Sequence, residues 1–226
     1  WIKIKINTVL KSLIDLKDLK DNNSSIKALA YQLYENNGVL KREQVSEYLK
    51  RLGQNERKIL RDLGVKFGRY HVFLYQLIKP EAVSLRTLLW KNFHQKYHNL
   101  KPPTFGLNFL NDQDSKNKNF MLLCGFEKFE TLFVRIDILE RLFMLIINSS
   151  DPKENKEVKM IPEMLNLLGC SKDNFKKLLQ KMGYEVFNKK EDTFFKYIPV
   201  KKFKKDFTKK VKSENPFRIL KNLNLR

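Results

Sequence analysis

Apolar residues recur at helical spacing through the first part of the chain. In "IKALAYQLYENNGVL" the side chains of Ile26, Leu29, Ala30, Leu33 and Tyr34 fall on one helix face. Ser24 and Ser25 are N-cap candidates, and Asn36, Asn37 and Gly38 make a stop. "REQVSEYLKRLG" and "NERKILRDLG" follow, ending at Gly53 and Gly64. The period then changes. "RYHVFLYQLIKP" alternates and is rich in β-branched and aromatic residues, which predicts a strand. A helix resumes in "EAVSLRTLLWKNF", with Pro80 near its start. Residues 1–98 thus read as a helical accessory domain, a bundle holding one short strand.

Residues 99–119 carry Pro102, Pro103, Gly106 and a polar tract without a sustained period, and read as a linker. Beyond it, "FMLLCGFEKFETLFVRI" predicts a turn around Gly125 and a strand at 131–136. Asp137 then caps an apolar helix at 138–147, and "NSSDPKENKEVK" reads as a loop. In "PEMLNLLGCSKDNFKKLLQKMGYEVF" Pro162 starts a helix that Gly169 stops. Ser171 caps a second helix with Asp173 in its first turn, and Gly183 ends it. "YEVF" and "TFFKYIP" predict two strands around the turn "NKKED". Helix, helix, tight turn, helix and ribbon give a winged helix-turn-helix-like domain at 120–199, with a basic tail at 200–226. The predicted class is mainly α with small β elements, α+β. No internal repeat stands out.

Composition sharpens this picture. The 226 residues are 42% hydrophobic and 12% aromatic, enough for a core. Against 45 basic residues stand 25 acidic ones, a formal charge of +20. A bias toward lysine explains Lys in place of Arg, but not a surplus over Asp and Glu. The surplus points to a polyanionic partner, nucleic acid first and an anionic membrane surface second. No apolar run reaches the ~18 residues of a bilayer span. The chain starts at Trp1 without a signal segment, so it reads as an interior fragment or a processed piece. Cys124 and Cys170 are too few for a disulfide framework and suggest a reduced, cytoplasmic setting.

In the helix after Ser171, Phe175, Leu178, Leu179 and Met182 form the apolar stripe, and Lys172, Lys176, Lys177 and Lys181 are the candidate phosphate contacts. Lys189 and Lys190 occupy the wing turn. The bland alternative is a solvated helix face, which lysine commonly fills, or a winged helix used for protein contacts. From Lys196 to Arg226 the chain has eleven basic residues against two acidic ones. Lys201, Lys202, Lys204, Lys205, Lys209 and Lys210 extend the candidate set. Phe203, Phe207 and Val211 recur every four residues there. The stripe could dock on the body while lysines follow phosphates, or the phenylalanines could stack on unpaired bases. A helix on anionic lipid and a solubilising tail are the other two readings.

Catalytic signatures are missing. No G-x-x-x-x-G-K-[ST], paired-aspartate strand end or Gly-x-Ser-x-Gly occurs, so this chain alone is not expected to be an enzyme. His94 and His98 have the i, i+4 spacing of metal ligands, but no third ligand lies near them in sequence, and no metal or other cofactor is expected. His71 in "RYHVF" is uninformative on its own.

Several stretches, in one order and spanning nearly the whole chain, resemble one family: "ALAYQLYENNGVL", "LRDLGVKFGRYHVFLYQLIKPEAVSLRTLLW", "VRIDILERL", "PEMLNLLGCSKDNFKKLLQKMGY" and "ENPFRILKNL". They are similar to the C-terminal region of alphaproteobacterial superfamily II (DExH-type) helicases, the group that includes the mitochondrial degradosome RNA helicase. The resemblance implies a parent with two RecA-like motor domains upstream, which use ATP and Mg²⁺ to unwind RNA or DNA. No ATP-site residue carries over to this chain. What carries over is a non-catalytic accessory role, guiding the strand or binding structured RNA or a partner. RNA is favoured over DNA, and no membrane partner is expected. The alternatives are a protein-interaction scaffold for a nuclease or the ribosome, and a stand-alone winged-helix nucleic-acid-binding protein.

Overall fold

The computed structural model describes residues 2–19, 24–112, 117–150, 157–189 and 192–198. Two short helices, α1 (Ile2–Val9) and α2 (Lys11–Lys17), lead into three successive units. The first unit is α3 (Ser24–Glu35), β1 (Val39–Lys41), α4 (Ser46–Arg51), α5 (Gln54–Asp62), β2 (Val65–Phe67) and β3 (His71–Leu74). The second is α6 (Pro80–Phe93), β4 (Phe109–Asn111), α7 (Lys118–Leu123), β5 (Phe126–Phe129) and β6 (Leu132–Arg135). The third is α8 (Ile136–Asn148), β7 (Glu157–Lys159), α9 (Pro162–Leu168), α10 (Lys172–Lys181), β8 (Tyr184–Lys189) and β9 (Asp192–Tyr197). Each unit ends in an antiparallel three-stranded sheet whose last strand lies between the other two: β1-β3-β2, β4-β6-β5 and β7-β9-β8. The class is α+β with small antiparallel sheets. Among the described residues no helix is long and apolar enough to cross a membrane.

One short motif builds all three units. It reads "LRDLGV", "MLLCGF" and "LQKMGY", apolar at its first, fourth and sixth positions and Gly at its fifth. Leu60, Met121 and Leu179 open the motif and are fully buried. Gly64, Gly125 and Gly183 have φ of 91°, 86° and 89°, a left-handed conformation that glycine adopts without a Cβ clash. That residue turns the helix straight into the second strand of each sheet. Each glycine N–H donates to the carbonyl three residues back, of Arg61, Leu122 and Gln180. Each glycine carbonyl accepts from the residue that follows the third strand, Tyr75 (3.4 Å), Ile136 (2.8 Å) or Ile198 (3.1 Å). The register agrees as well: Val65 opposes Leu74, Phe126 opposes Arg135, and Tyr184 opposes Tyr197. The chain therefore contains a threefold structural repeat, where the sequence led us to expect none.

A buried charge cluster joins the three units. His71 on β3 lies beneath Glu127 on β5, Nε2 to Oε2 3.0 Å, and Glu127 also takes a hydrogen bond from Lys41 on β1. Glu140 on α8 accepts from the backbone N–H groups of Arg69, Tyr70 and His71, and its carboxylate stands 3.6 Å from His71 Nδ1, a distance for charge attraction and not for a hydrogen bond. The loop fits around this carboxylate only because residue 68 is glycine: a Cβ there would come within 2.3 Å of the Glu140 carboxyl carbon. Burial opposes the charge on His71, but its hydrogen bond to Glu127 and the nearby negative charge of Glu127 and Glu140 outweigh burial and raise its pKa. Burial likewise works to raise Glu127 and Glu140, yet contacts with His71, with Lys41 for Glu127, and with the loop N–H groups for Glu140 hold both below the usual carboxylate value. Tyr70 of the first unit and Tyr184 of the third lie close enough to influence each other's ionisation, and burial pushes both phenols up. An apolar cluster follows the same seam, with Ile136 of the third unit buried together with Val39 and Phe73 of the first and with Ile78.

Other expectations change with the structure. Residues 99–119, read as a linker, hold β4 and the start of α7. The first unit contains three strands and not one, because β1 and β2 are only three residues long and show no period. The stretch expected as a single alternating strand is β3, buried at all four positions, followed by a 3-10 turn at Tyr75–Ile78. Helix α3 begins at Ser24, so Ser24 and Ser25 lie in its first turn instead of preceding it. Asp137 is also inside its helix, gripped by Arg135 through Nε (2.6 Å) and Nη2 (3.0 Å).

Candidate nucleic-acid interface

Helices α9 and α10 are joined by three residues, a turn length typical of helix-turn-helix pairs. Gly169 closes α9 in the left-handed conformation, φ 67°, and its N–H returns to the Leu165 carbonyl. Ser171 then caps α10, its Oγ accepting from the Asn174 N–H at 3.3 Å. Phe175, Leu178 and Leu179 are buried, while Met182 packs at the margin of the same cluster. Phe175 meets Phe195 of β9 edge-on, with ring centroids 6.3 Å apart. With that stripe fixed inward, the 100° step of the helix turns Lys172, Lys176, Lys177 and Lys181 outward.

These four lysines differ in their surroundings. Lys172 and Lys177 are exposed and Lys176 is half-buried, and among the described residues none of the three has a carboxylate partner. Lys181 pairs with Glu130 of the β5–β6 turn. Lys172 occupies the first turn of α10, where the positive end of the helix dipole disfavours a cation. Lys181, in the last turn, is favoured by the same dipole and by Glu130. So the free positive charge of α10 lies at Lys172, Lys176 and Lys177.

The ribbon behaves differently. Lys189 ends β8 and pairs with Glu157 of β7, and its ammonium also lies 5.4 Å from the Phe187 ring and 5.7 Å from the Phe194 ring. Those rings stack at 6.3 Å, 14° from parallel. Lys159 pairs with Asp192 across the same sheet. Lys189 and Asp192 of the ribbon are therefore each paired with an opposite charge on β7. Lys190 lies outside the described residues, as do Lys201, Lys202, Lys204, Lys205, Lys209 and Lys210.

The histidine pair expected at metal spacing does not share an α-helix face. Helix α6 ends at Phe93, and His94 and His98 flank a 3-10 turn, with His94 packed against Trp90 at 4.6 Å between ring centroids. Among the described residues, no group of three or more His, Cys, Asp and Glu side chains could hold a metal ion.

A second set of cations, without carboxylate partners among the described residues, is not visible in the sequence. Lys66, Arg69 and Arg141 are exposed and border one groove, although Arg141 is far from the other two along the chain. No sequence window contains all three. Comparison with protein-family models, with curated proteins and with solved structures finds no match to this chain.

Proposed function

We propose that this chain is a non-catalytic C-terminal accessory module of an ATP-dependent RNA or DNA helicase, and that it binds or guides nucleic acid through its third unit. The observation that carries this reading is the unpaired lysine face of α10, Lys172, Lys176 and Lys177, held on a helix whose other side is fully packed. We read the third unit as a winged helix-turn-helix, with α10 as the presenting helix and the β8–β9 ribbon as the wing. On the resemblance, motor domains would precede this chain, and ATP and Mg²⁺ would belong to those domains; the two cysteines suggest a cytoplasmic setting. The chain alone is read as having no enzyme activity.

Three lysines on phosphates give a salt dependence of log K against log salt of roughly −2 on a single strand, and contacts from residues 199–226 would steepen it. The test is anisotropy of a labelled oligonucleotide across a salt series. A slope near zero ends the proposal. Phosphate contacts position without reading sequence, so charge reversal at Lys176 and Lys177 should weaken every sequence alike. Loss for one sequence alone would point to base readout.

A second reading, a protein-interaction scaffold for a nuclease or the ribosome, is favoured by α6. Its Leu88 is 56% exposed and its Phe93 83% exposed, apolar surface that water does not favour. Retention of a protein partner after nuclease treatment and a high-salt wash, lost on Phe93→Ser, supports this reading. Retention unaffected by that change removes it.

A further inference from the structure

A groove of about 650 Å³ runs between the β2–β3 hairpin and α8. Its rim carries Lys66, Arg69 and Arg141, and its wall carries Phe67, Tyr75 and Phe143. Arg69 lies over the Phe143 ring, 5.6 Å from its centroid, and Tyr70 meets that ring edge-on at 5.6 Å. Arg42 lies deeper, donating from Nη1 to the Gly68 carbonyl at 2.7 Å. Two carboxylates also line the groove, and both are already engaged. Asp137 is gripped by Arg135, and Glu140 accepts three backbone N–H groups beside His71. Among the described residues, Lys66, Arg69 and Arg141 have no carboxylate partner. Positive charge around aromatic faces is the arrangement that binds single-stranded nucleic acid, since phosphates take the cations and bases take the rings. A duplex keeps its bases stacked inside and would leave the rings unused. The chain's own residues 199–226 are ruled out as occupant by charge, being strongly basic themselves.

We propose that this groove is a second strand-binding site, which takes a short single-stranded segment with its phosphates on Lys66, Arg69 and Arg141 and a base stacked on Tyr75. The proposal rests on the nucleic-acid reading above and adds a place for the strand far along the chain from α10. The seam position gives it rigidity. The hairpin loop and α8 are locked together by Glu140, so the cations from two units keep a fixed spacing.

The test uses the full chain and labelled oligouridine of about ten nucleotides, within the length such sites cover. Deoxythymidine of equal length and an abasic strand of the same backbone serve as the other arms. Tyr75→Ala should weaken oligouridine about tenfold, the effect of losing one stacked base, and leave the abasic strand unchanged. Arg69→Glu with Arg141→Glu should weaken all three strands and make the salt slope shallower by about 1.4. Equal loss for oligouridine and deoxythymidine assigns the site to single strands of either sugar, and loss for oligouridine alone assigns it to RNA. If both groove variants bind as the parent chain does while Lys176→Glu with Lys177→Glu binds weakly, the groove proposal falls and the α10 reading stands. If the parent chain shows no salt-dependent binding, both fall. Poly-glutamate bound as tightly as oligouridine, with equal loss in the groove variants, also overturns the proposal, because charge alone would explain it. Should either variant melt below the parent chain, photocrosslinking of 4-thiouridine strands to the unaltered protein decides. Adducts at Tyr75 or Phe143 support the site, and adducts confined elsewhere reject it.

Discussion

Helices α5 and α10 stand at the same place in two units of one topology, yet they present different chemistry. Both run into a left-handed glycine and a strand, and both bury the leucine four residues before that glycine. On α5, however, Arg57 turns back to the Leu49 and Leu52 carbonyls at 2.7 and 3.2 Å, and Arg61 lies over the Phe67 ring. Glu56 and Asp62 add negative charge at its two ends. On α10 the turn is closed by Gly169 and Ser171, so no cation is spent on it. Lys172, Lys176 and Lys177 have no carboxylate partner among the described residues. The repeat thus shares the backbone and the inward face, while the outward faces of α5 and α10 differ. Likeness of fold within the chain does not carry likeness of interface.

The shared inward face is where the largest effects belong. Leu60→Ala, Met121→Ala and Leu179→Ala should each cost about 3 kcal/mol, the penalty for a fully buried large-to-small change. Denaturant unfolding measures this. A loss confined to one of the three would break the equivalence of the units. Glu127→Leu should cost a similar ~3 kcal/mol, since it leaves His71 and Lys41 without their shared partner at the seam.

The same cluster sets a pH window. His71 has a raised pKa, so its stabilisation is complete below the unfolded value of about 6.5 and is lost as pH rises through the folded value. Glu127 and Glu140 are depressed, so theirs is present above 4.5 and lost as pH falls through their folded values. Melting temperature should therefore plateau between about pH 4.5 and 6.5 and decline on both sides. In His71→Gln the alkaline decline should flatten. An unchanged alkaline limb would show that His71 does not hold the seam by charge.

Smaller effects sharpen the comparison at the turns. Gly64→Ala and Gly183→Ala should each cost about 1–2 kcal/mol through the left-handed backbone alone, because a Cβ meets nothing closer than 3.6 Å at either site. Gly125→Ala should cost more, as its Cβ would stand 3.2 Å from Ile78. Ser171→Ala should cost about 1 kcal/mol, and Gly53, at the equivalent end of α5, has no side chain to lose.

The third unit was the most legible in the sequence because its signals are local. Pro162, Gly169, Ser171 and Gly183 punctuate two helices within a short stretch, and the structure places each where its chemistry implies. The lysine face of α10 follows from the same reading. Strands β1, β2, β4 and β7 were not legible, since three residues hold too little alternation to show a period. The repeat escaped because only the apolar positions and the glycine of its motif are kept, while the loops between them differ in length. A search for apolar-x-x-apolar-Gly-apolar would have found it. The ion pairs at Lys181 and Lys189 and the groove beside Arg69 depend on residues far apart in sequence, which only the folded chain brings together.

The most direct test of the central claim compares the two helices by charge reversal. Lys172→Glu, Lys176→Glu and Lys177→Glu together remove the free cations of α10, and Lys58→Glu with Arg61→Glu does the same for the exposed cations of α5. With a single-stranded oligonucleotide titrated across salt, the α10 variant should lose about 2 from the salt slope, and the α5 variant should stay within experimental error of the parent chain. Equal loss in both variants, or loss in the α5 variant alone, would contradict an interface built on α10.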